Sequence, residues 1–425
     1  MILSSTLPFF PNTGKRTTLE LFRSDYQQAV AFYVNYFWNN RIVIPRKNNL
    51  YYILDIKNQQ FDAPSFISTT NIPIITDLSA RALKCASTQA LGIIKASIKA
   101  LSKKQYIIKQ HQKKNKDISK LQSTYDKEFF KLKVPYTGNV NPELNSICCN
   151  FETSTSSFDG YIILSSLGKK YGKLCIPINF TKHNNHLRSL GKQLKSFLIT
   201  KKCIHFRYET KIDPKETGTT EGLDQGIKTC CTLSDGQITG KCIHGHDLDS
   251  IIKKLSKKKK GSKAFKKAQA HRTNYVNWSV KQLNLTSIKQ IKLEEIRYMG
   301  KGQRRSRYLQ GFTYKEIRTA LMKNCYLAGV QLYEQSSPYR SQRCSDCGYV
   351  HKSNRNKKVF ICLACKFTCD ADLNASYNHK ADLCGLVRNN CLPNKTEGFY
   401  WMPEGIWDVN GEVLTVPLAK KYKLV

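Results

Sequence analysis

Between Asp77 and about Lys133 the chain has no proline, and Ala80, Leu83, Ala90, Leu91, Ile94, Ile98 and Leu101 recur at three-to-four spacing behind candidate caps at Asp77 and Ser79. That period predicts one or two long helices, and the lysines that stud them from Lys103 onward suggest a face turned toward phosphate. After Pro135 the pattern changes: GYIILSS (160–166), KLCIPINF (173–180) and KKCIHFRYETKI (201–212) are short, rich in β-branched and aromatic residues, and separated by Gly, Asn and Ser clusters. They predict strands, so a β-rich module follows the helical one.

From Gly222 the pattern changes again. GLDQGIKTCCTLSDGQITG holds two strand-like runs around Ser234-Asp235-Gly236, a hairpin signal. IIKKLSKKKKGSKAFKKAQAHRTNYVNWSVKQLN (251–284) predicts a basic helix, and the interleaved Leu255, Phe265, Tyr275 and Trp278 favour docking over a free solvated tail. A strand IKQIKLEEI (288–296), a basic loop GKGQRRSRY (300–308), a helix from about Thr313 to Ala328 and a strand VQLYEQS (330–336) complete the unit. No internal repeat is evident.

Charge narrows the partner. With 69 Lys plus Arg against 31 Asp plus Glu in 425 residues, the formal charge of +38 would repel itself unless a polyanion were bound. Nucleic acid is the expected partner, and the length allows roughly two to three domains. No apolar run approaches the ~20 residues of a spanning helix, so no membrane is expected. The start, MILSSTLPFFPNTGK, lacks the basic and apolar regions of a secretory signal. Sixteen cysteines, scattered singly apart from two adjacent pairs and one cluster, fit small buried residues in a reducing, cytoplasmic compartment better than a disulfide framework.

The cluster is Cys344-x-x-Cys347, fourteen intervening residues, then Cys362-x-x-Cys365. Each pair forms a knuckle, and four thiolates close a tetrahedral site around one Zn²⁺ with no position left for water. That ion is expected to hold structure rather than hydrolyse anything. Cys369 and His351 lie nearby and are read as core or surface residues.

A second constellation is spread along the chain: Asp224 in the first strand of the hairpin, Glu294 at the end of IKQIKL, and Asp372 opening the helical DLNASYNHK. A strand Asp, a later strand ending in Glu and a helix starting at Asp describe a ribonuclease-H-like sheet, in which the three acids converge at one edge. Such carboxylates stay ionised together only around divalent cations, and oxygen ligands favour two Mg²⁺ or Mn²⁺ ions, the arrangement of two-metal phosphodiester hydrolysis. Glu295 and Asp370 compete for these roles. Strand alternation turns Glu295 to the opposite face from Glu294, and Asp370 falls before the helix start.

GLDQGIK, IKLEEI, SPYRSQRCSDCG and ICLACKFTCDADLNAS, in this order, closely resemble the split RuvC nuclease and inserted zinc ribbon of TnpB proteins and their descendants, the miniature type V CRISPR effectors. The resemblance covers roughly residues 215 to 380. It implies an α+β multidomain chain: an RNase H-like (RuvC) α/β nuclease at 213–340 and 366–380, an inserted zinc ribbon at 341–365, a β-barrel wedge domain from 1–20 and 135–212, and a helical recognition lobe at 21–134. Residues 381–425 form a C-terminal extension, either a small β element or an RNA-holding segment. The family's catalytic acids fall on Asp224, Glu294 and Asp372, and an arginine between the knuckles that reaches the cut phosphate falls on Arg355. Gln225 departs from the family, which has an apolar residue there.

The resemblance further implies an RNA-guided DNA endonuclease. Its partners are a guide RNA and a double-stranded target DNA that forms an RNA–DNA heteroduplex beside a short flanking motif, in a prokaryotic cytoplasm at the nucleoid. Family members act as monomers or as asymmetric dimers on one RNA. Two alternatives remain open: a non-cleaving RNA-guided DNA-binding protein such as a repressor, and an unguided structure-specific nuclease of the resolvase type.

Overall fold

A computed structural model describes residues 1–39, 42–45, 51–54, 74–112, 115, 117–130, 134–296, 306–311, 313–386, 392–393, 396–416, 418–419 and 423–424. Most of the basic loop expected at 300–308 lies outside these residues, as do the side chains of Ile98 and Leu101. The chain is a mixed α+β fold with several sheets, divided into two compact units, Met1–Lys211 and Ile212–Val425.

The first unit opens with β1 (Ile2–Pro8), whose alternate residues Leu3, Ser5 and Leu7 are buried, as in a strand with one wet face. Helix α1 (Thr13–Asn39) buries Leu19, Phe22, Tyr26, Val30, Tyr33 and Phe37, the stripe of a 3.6-residue period, and packs on α2 (Ala80–Gln112). Ser79 caps α2 by accepting from the Ala82 amide at 3.1 Å. Asp77, the other candidate cap, pairs with Lys170 at 2.7 Å instead. A separate α3 (Ser119–Phe130) follows, so the long periodic stretch forms two helices.

The three predicted strands are present as β4 (Gly160–Leu164), β5 (Leu174–Ile178) and β7 (Cys203–Thr210), and the structure adds β2 (Glu143–Asn145), β3 (Cys149–Thr153) and β6 (Ser196–Ile199), which the sequence reading did not single out. One antiparallel sheet has the order β1-β7-β6-β2, with Gly191–Gln193 also on β7, and a second has the order β3-β4-β5. A bridge between Phe9 and Ile178 links the two sheets. The N-terminal strand thus pairs in full register with one near residue 205, from Ile2 opposite Glu209 to Pro8 opposite Cys203, and the helices are inserted between β1 and β2.

The second unit is built on a five-stranded sheet. It contains β8 (Thr219–Asp224), β9 (Thr232–Leu233), α4 (Leu248–Ser256), α5 (Lys263–Lys281), β10 (Ile288–Glu294), α6 (Tyr314–Leu327) and β11 (Gln331–Gln335). There follow β12 (Arg355–Asn356), β13 (Val359–Ile361), β14 (Thr368–Asp370), α7 (Ala371–Lys380) and a final β15 (Lys423–Leu424). The sheet order is β9-β8-β10-β11-β15, with β8, β10 and β11 parallel and the two edges antiparallel. Leu223, Ile291, Leu293 and Leu332 on one face share a core with Ile252 of α4, Val276 of α5 and Ile317 of α6.

The opposite face carries α7 at very close range. A Cβ on Gly222 would meet the Ser376 carbonyl oxygen at 2.0 Å and the Lys380 amide at 2.3 Å, so only glycine lets the helix backbone approach the strand. Residues that alternate with the core side chains along β8, β10 and β11 therefore face α7. Asp224, Glu294 and Gln335 belong to that set.

One expectation is corrected. The basic segment 251–284 is two helices, because Gly261 adopts φ +85° and the Ser262 hydroxyl starts α5 by accepting from the Phe265 amide. Lys257, Lys259 and Lys260 sit exposed in the turn between them, while Leu255 and Tyr275 are buried as the interleaved pattern implied. The hairpin tip at Ser234–Gly236 is present, with Gly236 at φ +91° and the Leu233 amide donating to the Gln237 carbonyl.

The C-terminal extension is a small β element. Phe399–Trp401 pairs with Tyr349–Val350 and with Ile406–Trp407, and Trp401 and Phe399 share a core with Tyr339, Leu383 and Leu386. β15 then lines the edge of β11. Among the described residues no helix is long and apolar enough to cross a membrane.

Candidate active site and cysteine centre

The cysteine cluster forms as its spacing implied. Cys344 and Cys365 bring their sulfurs to 3.7 Å, Cys347 and Cys362 to 3.6 Å, and all four sulfurs lie within 4.8 Å of one another. Tetrahedral Zn–S bonds of about 2.3 Å put sulfurs ~3.8 Å apart, so the donor set is compatible with a structural zinc ion. Burial pushes the Cys347 thiol up to about 11 and Cys344 higher still. His351 lies outside the cluster, stacked on Tyr349, and so does Cys369, half-buried against the ribbon core.

Two arginines stand beside this centre. Arg343 is buried and donates to the Trp401 and Cys344 carbonyls and to Asn378 Oδ1 at 2.6 Å, and burial pulls its guanidinium down to about 10. Arg340 lies 5.1 Å from the Trp401 ring centroid and donates to the Asn378 carbonyl. From α7, Asn374 and Asn378 both donate to the Arg343 carbonyl, at 2.8 and 2.7 Å, and Asn374 accepts from the Ser345 amide at 3.0 Å. Arg343 and Ser345, at the start of the cysteine segment, are thereby clasped to one face of the helix that bears Asp372.

Asp224 and Glu294 come together and feel the charge of Asp372 from that helix. Leu223 is level with Leu293, and Glu294 is level with Gln335, so Asp224, Glu294 and Gln335 end three neighbouring parallel strands in one row. Asp372 is 4% exposed in the first turn of α7. Asp370 is the N-cap of α7: its carboxylate accepts from the Asp372 amide at 2.9 Å and the Leu373 amide at 3.1 Å. The Glu295 amide donates to the Gln335 carbonyl at 2.8 Å.

Desolvation, reinforced by the charge of Asp372, raises the Asp224 carboxyl to about 7. Desolvation and the charge of Asp224 push Glu294 well above the usual carboxylate range, partly offset by a hydrogen bond from the Gln225 backbone. Asp224 and Glu294 thus resist ionising, the electrostatic condition that a bound divalent cation relieves. Asp224 and Glu294 keep a partial opening to solvent through which an ion could enter.

Two cations reach into the site from the β12–β13 turn. Arg355 Nη2 lies 2.8 Å from Asp372 Oδ1, and the Lys358 ammonium pairs with the other carboxylate oxygen while donating to Thr229 Oγ1 at 3.0 Å. Arg355 was anticipated; Lys358 was not, although it lies three residues on in the same turn. Gln225 is 7% exposed with its side-chain carbonyl lacking a partner among the described residues.

The sequence reading also missed His379. It is 2% exposed, and one of its ring nitrogens lies with carboxylate oxygens of Asp224 and Glu294 in a set whose members are all within 4.8 Å of one another. Burial, with the Arg340 charge, holds its pKa well below the usual imidazole value. Its signal was the seven-residue interval from Asp372, two helical turns along the same face.

Residues 314–379 match the family described as the Cas12f1-like TNB domain. Over 149 residues, 34% of each chain, the sequence is 30% identical to the CRISPR-associated endodeoxyribonuclease Cas12f1 of Sulfoacidibacillus thermotolerans. Over 130 residues, 30% of this chain and 26% of the other, it is 26% identical to the protein of that name from Syntrophomonas palmitatica. The match thus spans about a third or less of these relatives.

Among solved structures, a Cas12f1–sgRNA–target DNA complex aligns at TM-score 0.41 and 14% identity over 89% of this chain and 98% of that one. CasPhi-2 (Cas12j) bound to crRNA and phosphorothioate-DNA aligns at 0.44 and 9% identity, over 89% and 91%. Over part of its length, including residues 314–379 with the cysteine cluster and Asp372, this chain is thus similar to Cas12f1, a miniature type V CRISPR effector.

Proposed function

We propose that this protein is an RNA-guided endonuclease that cuts double-stranded DNA at a single RuvC-like centre formed by Asp224, Glu294 and Asp372. The observation that supports the reading is the closeness of Asp224 and Glu294 at the ends of two adjacent parallel strands, both within reach of the charge of Asp372 at the start of α7, in a chain of charge +38. A parallel β8-β10-β11 core with an antiparallel β9 fits an RNase H-like sheet, whose function lies at the carboxyl ends of the strands.

The donor set is all oxygen apart from the nearby imidazole, which suits Mg²⁺ or Mn²⁺. Two such ions would supply an activated water and charge stabilisation at the leaving oxygen. Asp224, Glu294 and Asp372 are the residues that would hold them. Arg355 orients Asp372 and offers further donors toward a phosphate, and Lys358 anchors the same carboxylate to the Thr229 loop. Cys344, Cys347, Cys362 and Cys365 would hold one Zn²⁺, which would tie down the segment that carries Arg355 and Lys358.

Residues 1–20 and 135–212 serve as the wedge, 21–134 as the recognition lobe, 213–340 with 366–380 as the nuclease and 341–365 as the ribbon. Guide RNA pairs with the target strand, and the protein holds the heteroduplex by its shape and reads a short flanking duplex motif. The site of action is the prokaryotic cytoplasm.

The test is to purify the protein from its own locus, sequence the co-purifying RNA, and assay a matched duplex with Mg²⁺. Cutting by the wild type and intact DNA with Asp224→Ala are expected. Tight binding without cutting at saturating guide would favour a repressor, and equal cutting by RNA-free protein would favour an unguided nuclease.

A further inference from the structure

We infer that His379 is a positioning residue of the nuclease centre, locked by Gln335 with its proton on Nε2 so that a neutral N–H donor, and no lone pair, is offered to the space beside the Asp224–Glu294 carboxylate pair. The inference rests on the nuclease reading above and deepens it.

The argument begins with the Gln335 side chain, which is 2% exposed. Its Nε2 donates to the His379 backbone carbonyl at 2.7 Å. A carbonyl oxygen only accepts, so this contact fixes which end of the amide carries the hydrogens. The same Nε2 lies 3.1 Å from His379 Nδ1, and its second hydrogen goes there. Nδ1 is therefore an acceptor, and the neutral ring carries its proton on Nε2.

Three groups in one row then explain one another. Gln335 is the register partner of Glu294 across β10 and β11, and Asp224 ends the strand on the far side of Glu294. The ring sits over this row, with a nitrogen among carboxylate oxygens that are mutually within 4.8 Å. With Nδ1 taken by Gln335, Nε2–H is the polar group of the ring left for them, and it makes no hydrogen bond to either acid among the described residues.

The spacing alone would also suit direct metal ligation, but the surroundings of the ring do not. A metal-bound histidine gives its second N–H to an acceptor such as a carbonyl or carboxylate. Here the second nitrogen faces a donor, the reverse arrangement. A purely packing histidine, in turn, would not need a buried glutamine held in one orientation by two hydrogen bonds. Gln335 Oε1 has no partner among the described residues, a cost accepted to keep the amide in that orientation.

The experiment follows Mn²⁺ bound to the full-length protein by electron paramagnetic resonance, with Zn²⁺ silent, and compares wild type, His379→Leu, His379→Gln and Gln335→Met. His379→Leu should weaken Mn²⁺ binding by roughly 10- to 100-fold. His379→Gln, which returns an N–H donor near the Nε2 position, should restore most of that loss. Gln335→Met, which frees the tautomer, should give an intermediate loss and keeps the proposal testable where His379→Leu does not fold. Electron spin echo modulation should contain no directly bound histidine nitrogen.

A directly coordinated imidazole nitrogen in the wild type would overturn the assignment in favour of a ligand. Mn²⁺ affinity unchanged in folded His379→Leu or Gln335→Met would reduce the residue to packing. A wild type that binds Mn²⁺ in an Asp224-dependent manner yet cuts no guided duplex would sink the nuclease reading and leave this inference standing.

Discussion

Gly222 and Ser376 touch backbone to backbone: a Cβ on the glycine would lie 2.0 Å from the serine carbonyl oxygen. This contact seats α7, and with it Asp372 and His379, over the carboxyl ends of β8 and β10. Gly222→Ala must push the helix away, and it should cost about 1–3 kcal/mol or more. Divalent-ion binding should fall with it. Gly92 in α2 is the control, exposed and with nothing within 4 Å of its Cβ position, so Gly92→Ala should stabilise by ~0.5–1 kcal/mol. Chemical denaturation of both variants checks the pair.

Alanine at Asp224, Glu294 or Asp372 should reduce guided cleavage by at least about 10²-fold, the loss typical of one missing preorganised charge. RNA binding should be unchanged, because the basic surfaces remain. Single-turnover cleavage beside a filter-binding assay separates the two. Asp370→Ala should cost only about 1 kcal/mol of stability, as the loss of a helix cap, with cleavage largely kept.

Stripping the cysteine centre with a chelator, or Cys347→Ser, should remove bound zinc and loosen the ribbon. Arg355 and Lys358 then lose their hold on Asp372, so cleavage should fall even though no carboxylate has been touched. Metal analysis, thermal melting and cleavage on one preparation measure all three effects.

Trp401 is fully buried beneath Arg340 in the core shared by the C-terminal extension and the ribbon. Trp401→Ala should cost about 3–5 kcal/mol and expose the Tyr349–Val350 strand to hydrogen exchange. Native exchange at that strand would show that the extension has no structural part.

Lys257, Lys259 and Lys260 protrude from the turn between α4 and α5. Replacing all three with glutamine should weaken nucleic-acid binding and flatten its salt dependence, by about 0.9 for each phosphate no longer neutralised on duplex DNA and ~0.7 on a single strand. Titration at several salt concentrations reads the slope directly.

Much of this protein was legible in one dimension because the relevant signals are local. Two Cys-x-x-Cys knuckles carry their geometry in their spacing, and the period of the helices and the alternation of the strands follow from which faces must leave water. The order Asp224, Glu294, Asp372 indicated where acids could meet, since strand ends and a helix start have defined positions in such a sheet. The split of the basic segment at Gly261 was also local, but the lysine run masked it.

What the chain order could not reveal depends on close approach between distant segments. Nothing near His379 points to Gln335 or Glu294; only the narrow gap over Gly222 brings them together. Lys358 acquires a role because the ribbon turn folds back onto α7, and the C-terminal strand acquires one because the β11 edge needs a partner. Local sequence determined the elements and their chemistry, while side-chain convergence at hydrogen-bond range was decided by packing in three dimensions.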